Sequence, residues 1–206
     1  MTRGRFITLE GGEGVGKSTQ ARALGTALRT RGIDLVETRE PGGSAGAEAI
    51  RSLLFERDWD DGPEALLFAA ARGDHVARTI APALAAGRWV LCDRFVDSSR
   101  AYQGMASGLG LDRIAALHET GSGGLLPDLT LLLTAPPEAI ATRLKARDDG
   151  RADRFDARGA NYHRRVADGF QALAAAEPAR FRIIDALGEP TAVTNRLLAA
   201  IDGAFA

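Results

Sequence analysis

The sequence predicts an α/β fold in three layers, with a five-stranded parallel sheet flanked by helices on both faces. Short apolar, β-prone runs alternate with longer segments of helical periodicity, and this alternation is typical of a parallel sheet buried on both faces. The length of 206 residues, with 45% hydrophobic and 26% charged residues, suits one domain with a full core. No internal repeat or linker divides the sequence. We therefore expect a single domain over residues 1–206.

The predicted elements follow one another along the chain as strand and helix. Phe6-Ile7-Thr8-Leu9 is an apolar, β-prone run, after which apolar residues recur at helical spacing. Similar apolar runs place strands near residues 6–10, 34–38, 89–93, 129–134 and 181–185. Helical periodicity places helices near residues 17–31, 45–56, 64–86, 111–119, 137–146, 157–176 and 191–204. Ligands bind at the carboxyl ends of the strands in such sheets, so the segments that directly follow strands are candidate sites.

The segment after the first strand, GGEGVGKS at residues 11–18, satisfies G-x-x-x-x-G-K-[ST], which predicts a P-loop NTPase fold. Glycines let successive backbone N–H groups point at phosphates without obstruction by side chains. The helix that follows directs its positive end at them. We expect Lys17 to reach the β- and γ-phosphates and the Ser18 hydroxyl to take a place on Mg²⁺. The predicted triphosphate-binding residues are Gly11, Gly12, Glu13, Gly14, Val15, Gly16, Lys17, Ser18 and Thr19.

Asp93 and Arg94 follow the third predicted strand. An aspartate at the end of an apolar strand is the second acidic element of P-loop enzymes, where it holds Mg²⁺ directly or through water. A helix cap or a solvated strand end would also explain Asp93. The Arg94 guanidinium beside it suits a second phosphate, and a surface ion pair is the alternative.

Residues 143–165 are rich in positive charge, with eight arginine or lysine residues against four aspartates and a local charge of +4. A solvated helix–loop–helix would have this composition. The functional interpretation is a lid that closes over the phosphates and brings arginines to the charge that develops on the transferring group. The phosphate loop has no arginine of its own, which favours the lid. We expect this mobile lid at about residues 147–160, with Arg151 and Arg154 as its catalytic arginines.

Two further segments are candidates for an acceptor pocket. Residues 38–43 (TREPGG) follow the second strand and therefore turn at the binding edge of the sheet. Phe68 and Arg72 lie four residues apart, on one face of a predicted helix. A base could stack on Phe68 while Arg72 donates to its carbonyl edge. Alternatively, Phe68 is a core residue.

Composition and charge argue against several other functions. A net charge of −1 is unlike that of a protein that binds nucleic acid or a membrane surface, and no apolar run approaches the length of a membrane span. The single cysteine, Cys92, leaves no internal disulfide and suits a reducing compartment. The N-terminal residues run directly into the first strand, so we expect no signal peptide. The expected location is cytoplasmic.

In these segments the chain resembles thymidylate kinases, and the resemblance spans nearly the whole sequence. The motifs in the family's order and spacing are 38–43 (TREPGG), 68–72 (FAAAR), 93–99 (DRFVDSS), 101–104 (AYQG), 127–130 (PDLT) and 153–155 (DRF). The resemblance implies transfer of the γ-phosphoryl group of ATP to dTMP, with Mg²⁺ as cofactor and dTDP and ADP as products. It also implies a homodimer to which helix 64–86 contributes. The absence of arginine from the phosphate loop is similar to the bacterial enzymes.

The resemblance implies roles for the residues around the base. Phe68 would stack on thymine, and Arg72 would hydrogen-bond to its edge. Ser99 and Gln103 would lie along the base. Tyr102 would crowd the sugar and so disfavour a 2′-hydroxyl group.

For the sugar and phosphate of dTMP, the resemblance implies a second set of contacts. Arg94, with Arg39 or Arg51 nearby, would bind the acceptor phosphate, and Pro41 would line the pocket. Glu13 would hold the 3′-hydroxyl group. Without the resemblance, Glu13 is a carboxylate placed unusually close to phosphates, which costs energy unless a donor or a metal compensates it.

Two alternative functions stay open from the residues alone. Another nucleoside-monophosphate kinase, or a deoxynucleoside kinase, would differ mainly in its contacts to the base. A GTP-binding switch would recognise guanine through N-K-x-D, but the sequence contains no Asn-Lys pair. Its D-x-x-G patterns at 156–159 and 185–188 come too late in the chain for a switch. Phosphoryl transfer to an added nucleoside monophosphate would separate a kinase from a switch.

Overall fold

The computed structural model describes residues 3–147 and 158–205. Within them, five parallel strands form one sheet in the order β2–β3–β1–β4–β5. The strands are β1 (Phe6–Glu10), β2 (Leu35–Arg39), β3 (Trp89–Asp93), β4 (Leu129–Thr134) and β5 (Phe181–Asp185). The predicted fold class is confirmed, and each strand lies within one residue of its predicted position.

Helices cover both faces of this sheet. They are α1 (Lys17–Thr30), α2 (Ala45–Glu56), α3 (Asp61–His75), α4 (Ala81–Ala85), α5 (Val96–Ser99), α6 (Leu111–Ser122), α7 (Pro137–Arg147), α8 (Ala160–Ala176) and α9 (Pro190–Phe205). Two further segments, Val76–Ile80 and Arg100–Ala106, are π-helical.

The π-helical segments are where the structure departs from the sequence prediction. The predicted helix 64–86 is one helical stretch that runs from α3 to α4, but Val76–Ile80 within it is wound as a π-helix. Periodicity predicts no element over residues 96–106, where the structure has α5 and the second π-helical segment. This stretch is short and contains serine, aspartate and glycine, which are weak helix formers. Packing of Ala101 and Tyr102 against α8 stabilises it instead. π-Helical turns of this kind are frequent at functional sites.

The core occupies both faces of the sheet, because successive side chains of a strand point to opposite faces. On one face, Ile7 and Leu9 of β1 pack with Leu24 of α1 and Leu197 of α9. On the other face, Phe6 packs with the helical stretch from α3 to α4. A third cluster joins β4 to α8 and the second π-helical segment. The result is the three-layer arrangement that the alternation of elements predicts.

The register of the strands brings their carboxyl ends to one edge of the sheet. Leu9 pairs with Asp93 across β1 and β3, and Arg39 pairs with Asp93 across β2 and β3. The phosphate loop, the turn after β2 and the turn after β3 therefore meet at this edge.

Within the two described ranges, no helix combines the length and the apolar character needed to cross a lipid bilayer.

Candidate active site

A cleft of about 570 Å³ opens at the carboxyl edge of the sheet. The phosphate loop and the start of α1 form one wall. The end of β2, one face of α3 and the π-helical segment after α5 form another, which we call the acceptor wall. Of the predicted site residues that the structure describes, only Gly11, Gly12 and Val15 are absent from the cleft surface. Val15 is buried in the core and anchors the phosphate loop there.

The phosphate loop has the backbone that its glycines predict. Gly14 and Gly16 have φ angles of 73° and 99°, in the left-handed region that residues with a side chain rarely adopt. Gly16 occupies the N-cap position of α1, and no side chain caps this end of the helix. The first backbone N–H groups of α1 and its positive end are therefore available to an anion.

Lys17 begins α1, and its side chain turns back onto the loop. Its Nζ donates to the Gly12 carbonyl oxygen at 2.6 Å. Lys17 is nearly completely buried, and burial, together with the nearby charge of Arg94, lowers its pKa to about 8. A bound phosphate would offset the cost of burying this cation. The position and charge of Lys17 thus suit a phosphate held by the loop.

Ser18 and Asp93 meet beside the N-terminus of α1. The Ser18 hydroxyl donates to Asp93 Oδ2 at 2.7 Å. The other carboxylate oxygen, Oδ1, is buried, and the described residues offer it no hydrogen bond. An unpaired buried carboxylate oxygen is costly, and hydroxyl and carboxylate oxygens are ligands that Mg²⁺ prefers. Ser18 and Asp93 therefore fit a divalent metal ion.

The candidate metal position at Ser18 and Asp93 is an open one. In the described part of the chain, no group of three or more His, Cys, Asp or Glu side chains is arranged to hold a metal ion. Mg²⁺ commonly takes one or two protein ligands and completes its shell with water and substrate phosphates. Ser18 and Asp93 provide two protein ligands of this kind, and the adjacent phosphate loop would bring substrate phosphates close to them.

Arg94 lies between the phosphate loop and the acceptor wall. Its φ of 69° is the one positive value among the described residues other than glycine, and it turns the chain sharply after β3. Such a backbone is costly for a residue with a side chain and is typical of functional sites. Arg94 Nη1 donates to the Gly11 carbonyl oxygen at 3.2 Å and to the Ser98 hydroxyl at 3.0 Å. The guanidinium is thus fixed against the phosphate loop.

Glu13, the carboxylate within the phosphate loop, is compensated by Arg94. Arg94 Nη2 forms a short hydrogen bond and ion pair with Glu13 Oε1, and the Tyr102 hydroxyl donates to the same oxygen at 3.0 Å. Burial raises the pKa of Tyr102 well above its ordinary value, so its hydroxyl stays a donor. The three side chains join the phosphate loop to the acceptor wall.

Glu10, the last residue of β1, is a site residue that sequence reasoning missed. It is fully buried, and its Oε1 accepts from the backbone N–H groups of Phe95 at 2.8 Å and Ser98 at 3.2 Å. Its Oε2 accepts from the Ser98 hydroxyl at 2.6 Å. Burial, with the nearby charge of Asp97, raises the pKa of Glu10 to about 7. Glu10 therefore holds the turn that presents Arg94. Its signal in the sequence is a carboxylate that ends an apolar strand.

Arg72 is held by a buried ion pair with Glu40. Arg72 Nε donates to Glu40 Oε2 at 2.8 Å, and Nη2 donates to the Ser99 hydroxyl at 2.8 Å. The second Glu40 oxygen pairs with His75 Nδ1 at 3.1 Å, and His75 Nε2 lies 2.8 Å from Thr38 Oγ1. Among the guanidinium nitrogens, Nη1 alone makes no hydrogen bond to the described residues, and Arg72 lines the cleft. Sequence reasoning assigned no role to Glu40 or His75.

Phe68 lies one helical turn before Arg72 on α3. It is half-buried on the cleft surface and belongs to none of the three described core clusters. Within the described residues, Phe68 is thus a cleft residue and not a member of a core cluster. Tyr102 and Gln103, both on the π-helical segment after α5, lie on the same acceptor wall.

Arg39 and Arg51 both reach the cleft, the first from β2 and the second from α2. Arg39 Nη2 pairs with Glu48 at 3.0 Å. Arg51 Nη1 donates to the carbonyl oxygen of Pro41 at 2.8 Å. Pro41 follows a cis peptide bond and also lines the cleft. The sequence left open which of the two arginines would lie near the acceptor, and the structure brings both to the cleft.

The predicted lid at 147–160 falls mostly outside the described residues. Arg151 and Arg154 lie in that part of the chain, so their roles stay predictions. Arg158, near the C-terminal end of the predicted lid, is described. It donates to Glu64 Oε2 at 2.7 Å and to the Tyr162 hydroxyl at 2.5 Å. This end of the predicted lid therefore contacts α3.

Two cleft arginines had no predicted individual role. Arg22 lies on α1 and Arg143 on α7, and both line the cleft. Arg143 Nη1 donates to the Val15 carbonyl oxygen at 3.1 Å, so it braces the phosphate loop. Its signal in the sequence was the basic stretch that begins at this residue. Arg22 carries no signal apart from its position on the first helix.

The fold and the cleft define a P-loop nucleoside-monophosphate kinase, with a triphosphate loop and metal ligands on one side and an arginine-rich pocket with an aromatic wall on the other. The family model of thymidylate kinase matches residues 9–197. This chain belongs to the thymidylate kinase family. It is an ATP-dependent kinase that phosphorylates dTMP to dTDP.

Individual relatives match nearly the whole length of the chain. The chain is 62% identical to thymidylate kinase of Rhizorhabdus wittichii over 201 residues, which cover 96% of this chain and 97% of the relative. It is 50% identical to thymidylate kinase of Synechococcus sp. (strain JA-2-3B'a(2-13)) over 198 residues, 96% of this chain and 94% of the relative. A solved structure of thymidylate kinase from Ehrlichia chaffeensis is similar with a TM-score of 0.78 and 30% identity, covering 97% and 99% of the two chains. The alternative of a GTP-binding switch is thereby wrong.

Proposed function

We propose that ATP binds on the phosphate-loop side of the cleft, that dTMP binds on the acceptor wall, and that Arg94 neutralises charge where their phosphates meet. The observation that carries this proposal is the position of Arg94, which donates both to Gly11 of the phosphate loop and to Tyr102 of the acceptor wall. A guanidinium can donate to the oxygens of two phosphates at once. Arg94 is therefore the cation between donor and acceptor.

On the donor side, residues 11–19 bind ATP. The backbone N–H groups of the loop and the uncapped start of α1 cradle the phosphates, and Lys17 reaches the β- and γ-phosphates. Ser18 and Asp93 hold Mg²⁺, which when bound neutralises charge on the phosphate oxygens. The unpaired, buried Oδ1 of Asp93 supports this metal assignment.

On the acceptor side, the base lies against α3 and the π-helical segment. Thymine stacks on Phe68, and Arg72 donates to a base carbonyl through Nη1, its nitrogen without a partner among the described residues. Ser99 and Gln103 lie along the base edge. Ser99 also accepts a hydrogen bond from Arg72, so the two side chains form one continuous surface for the base.

The sugar and phosphate of dTMP lie between the base and the phosphate loop. Tyr102 crowds the sugar, and Glu13 holds the 3′-hydroxyl group. The two are hydrogen-bonded to each other, which fixes their relative position. Arg39 and Arg51, with Arg94, bind the acceptor phosphate from the end of β2 and from α2, and Pro41 lines the pocket between them.

The reaction needs charge neutralisation more than acid–base chemistry. An oxygen of the dTMP phosphate attacks the γ-phosphorus in line, a new P–O bond forms, and the bond to the leaving oxygen of ADP breaks. The attacking oxygen is already ionised, so no general base is required. Lys17 and Arg94 position the two phosphates and offset their repulsion. We assign Arg151 and Arg154 the same task from the lid, whose closure would exclude water and suppress hydrolysis of ATP.

The enzyme is proposed to be a homodimer in which α2 and α3 contribute to the contact. Leu53 of α2 and Leu66 of α3 are 41% and 57% exposed, and the two helices pack on each other. A symmetric contact that covered both leucines would remove this apolar surface from water. A monomeric mass in analytical ultracentrifugation at assay concentration would contradict the dimer.

The free thiol of Cys92 supports the proposed cytoplasmic location.

The proposed function is tested by a coupled ADP-release assay with ATP and Mg²⁺ against dTMP, dUMP, dCMP, AMP, UMP and GMP. We expect dTMP to give the highest kcat/KM, and removal of the metal with EDTA to stop the reaction. Preference for another monophosphate would contradict the assignment of the base pocket. Activity that persists in EDTA would contradict the metal site at Ser18 and Asp93.

A further inference from the structure

Glu64 is a fully buried carboxylate on α3, one side chain removed from the cleft. Its Oε1 accepts from Gln103 Nε2 at 2.8 Å, and its Oε2 accepts from Arg158 at 2.7 Å. Gln103 lines the cleft, whereas Glu64 does not. Buried carboxylates are expensive unless both oxygens are paired, as they are here. Any influence of Glu64 on the substrate must therefore pass through its partners.

The contact with Glu64 determines which end of the Gln103 amide is left for the cleft. A carboxylate only accepts hydrogen bonds, so the amide nitrogen of Gln103 must be the atom that faces it. Oxygen and nitrogen lie on opposite sides of the planar amide, so Oε1 is left for the cleft. Gln103 is only 2% exposed, which leaves its side chain little room to rotate. Gln103 therefore offers an acceptor, not a donor.

We propose that Glu64 is a specificity-determining positioning residue, through which the enzyme selects bases that carry an N–H group next to a carbonyl. Arg72 offers only donors, and Gln103 offers an acceptor beside it. This pair complements O4 and N3–H of thymine or uracil. Cytosine presents an amino group and an unprotonated ring nitrogen at the same two positions, so donor would face donor and acceptor would face acceptor. The inference rests on the proposed binding of the base along Arg72 and Gln103.

The test replaces Glu64 by glutamine. The contact with Arg158 predicts how the new amide group is oriented. In Glu64→Gln, the Arg158 guanidinium offers only donors, so the new amide faces Arg158 with its oxygen and Gln103 with its NH₂ group. Gln103 must then accept from residue 64, and its own NH₂ group turns to the cleft. The variant therefore reverses the hydrogen-bonding polarity offered to position 3 of the base.

The expected kinetic result follows from this reversal. In Glu64→Gln, kcat/KM for dTMP falls on the order of 10- to 100-fold, mostly through KM, while KM for ATP is unchanged. The ratio of kcat/KM for dCMP to that for dTMP rises at least about tenfold. Both are measured by the ADP-release assay on the full-length enzyme, after circular dichroism and thermal unfolding have shown that the variant is folded.

Two further variants separate this role from a packing role. Tyr162→Phe removes the hydroxyl that also contacts Arg158 but leaves Glu64 and Gln103 unchanged, so we expect the wild-type ratio of dCMP to dTMP. Gln103→Met removes the amide altogether, and Glu64→Gln in that background should not change the ratio further. Should Glu64→Gln fail to fold, Glu64→Asp and Glu64→Asn make the same comparison, because only the asparagine introduces a donor.

The proposal is overturned by either of two results. One is an equal loss of kcat/KM for dTMP and dCMP in Glu64→Gln, and the other is additive effects in the double variant. Both would leave Glu64 with a packing role. Failure of the proposed function is distinguishable, because in that case Gln103→Met alone would leave KM for dTMP unchanged.

Discussion

Replacing Glu40 by glutamine tests whether buried charge holds Arg72 in the acceptor wall. Glutamine keeps the shape and can still accept from Arg72 Nε, while His75 Nδ1 can accept from the new NH₂ group when the ring proton moves to Nε2. The substitution therefore removes the charge and preserves the hydrogen bonds. Because the side chains of Arg72 and Glu40 are 3% and 4% exposed, Arg72 would become an uncompensated buried cation. We expect the free energy of unfolding to fall by about 3–5 kcal/mol, which lowers Tm by roughly 6–20 °C in a chain of this length.

The assay is urea unfolding followed by circular dichroism, with Glu37→Gln as the matched control. Glu37 lies on β2, three residues before Glu40, and pairs with Arg29, but these side chains are 24% and 47% exposed. An exposed pair contributes less than about 1 kcal/mol. We also expect Glu40→Gln to raise KM for dTMP and to leave KM for ATP near its wild-type value. Equal losses of stability in the two variants would refute the reasoning that charge, not shape, holds Arg72.

Three further predictions concern the phosphate loop, the aromatic wall and the turn after β3. Lys17→Ala should lower kcat roughly 100-fold or more, because a cation that faces the transferring phosphate is lost, and near-normal kcat in steady-state assays would disprove that role. Phe68→Ala should raise KM for dTMP about 10- to 100-fold through the lost base stack, and equal damage to KM for ATP would indicate packing instead. Glu10 has a pKa raised from 4.5 to about 7, so between these pH values the folded protein keeps a proton that the unfolded chain releases, and stability falls as pH rises. Relative to Glu10→Gln, the wild-type enzyme should lose on the order of 3 kcal/mol between pH 4.5 and pH 8, and a difference in unfolding free energy that does not change with pH would contradict this.

The donor side of the cleft was predictable because it is built from one continuous piece of chain. β1, the phosphate loop and α1 are neighbours in the sequence, so the motif at 11–18 carries its own strand and helix. The glycine conformations, the free helix N-terminus and the return of Lys17 onto the loop depend on residues a few positions apart. A local sequence pattern can predict such a site, because the residues in contact with one another are close in the sequence.

The acceptor side was predictable only through family resemblance. Phe68 and Arg72 have helical spacing, but the pattern alone also fits a core residue and a surface arginine. The supporting carboxylates had no signal of comparable strength, because their partners are distant in the chain. Glu10 contacts Phe95 across 85 positions, and Glu64 contacts Gln103 across 39. Periodicity over a window of a dozen residues cannot detect such pairs.

The sequence by itself determined the three-layer α/β fold, the position of the phosphate loop, and the residue types from which a phosphoryl-transfer site is made. Tertiary structure decided how those residues are oriented, which of them are buried and which groups they contact. Glu40 and Glu64 show the difference, since each is an ordinary acidic residue in the sequence and a buried partner of a cleft residue in the fold. The physical reason is that the cost and direction of a polar contact depend on burial and on the groups packed around it. Those are set by strands and helices that meet only when the chain has folded.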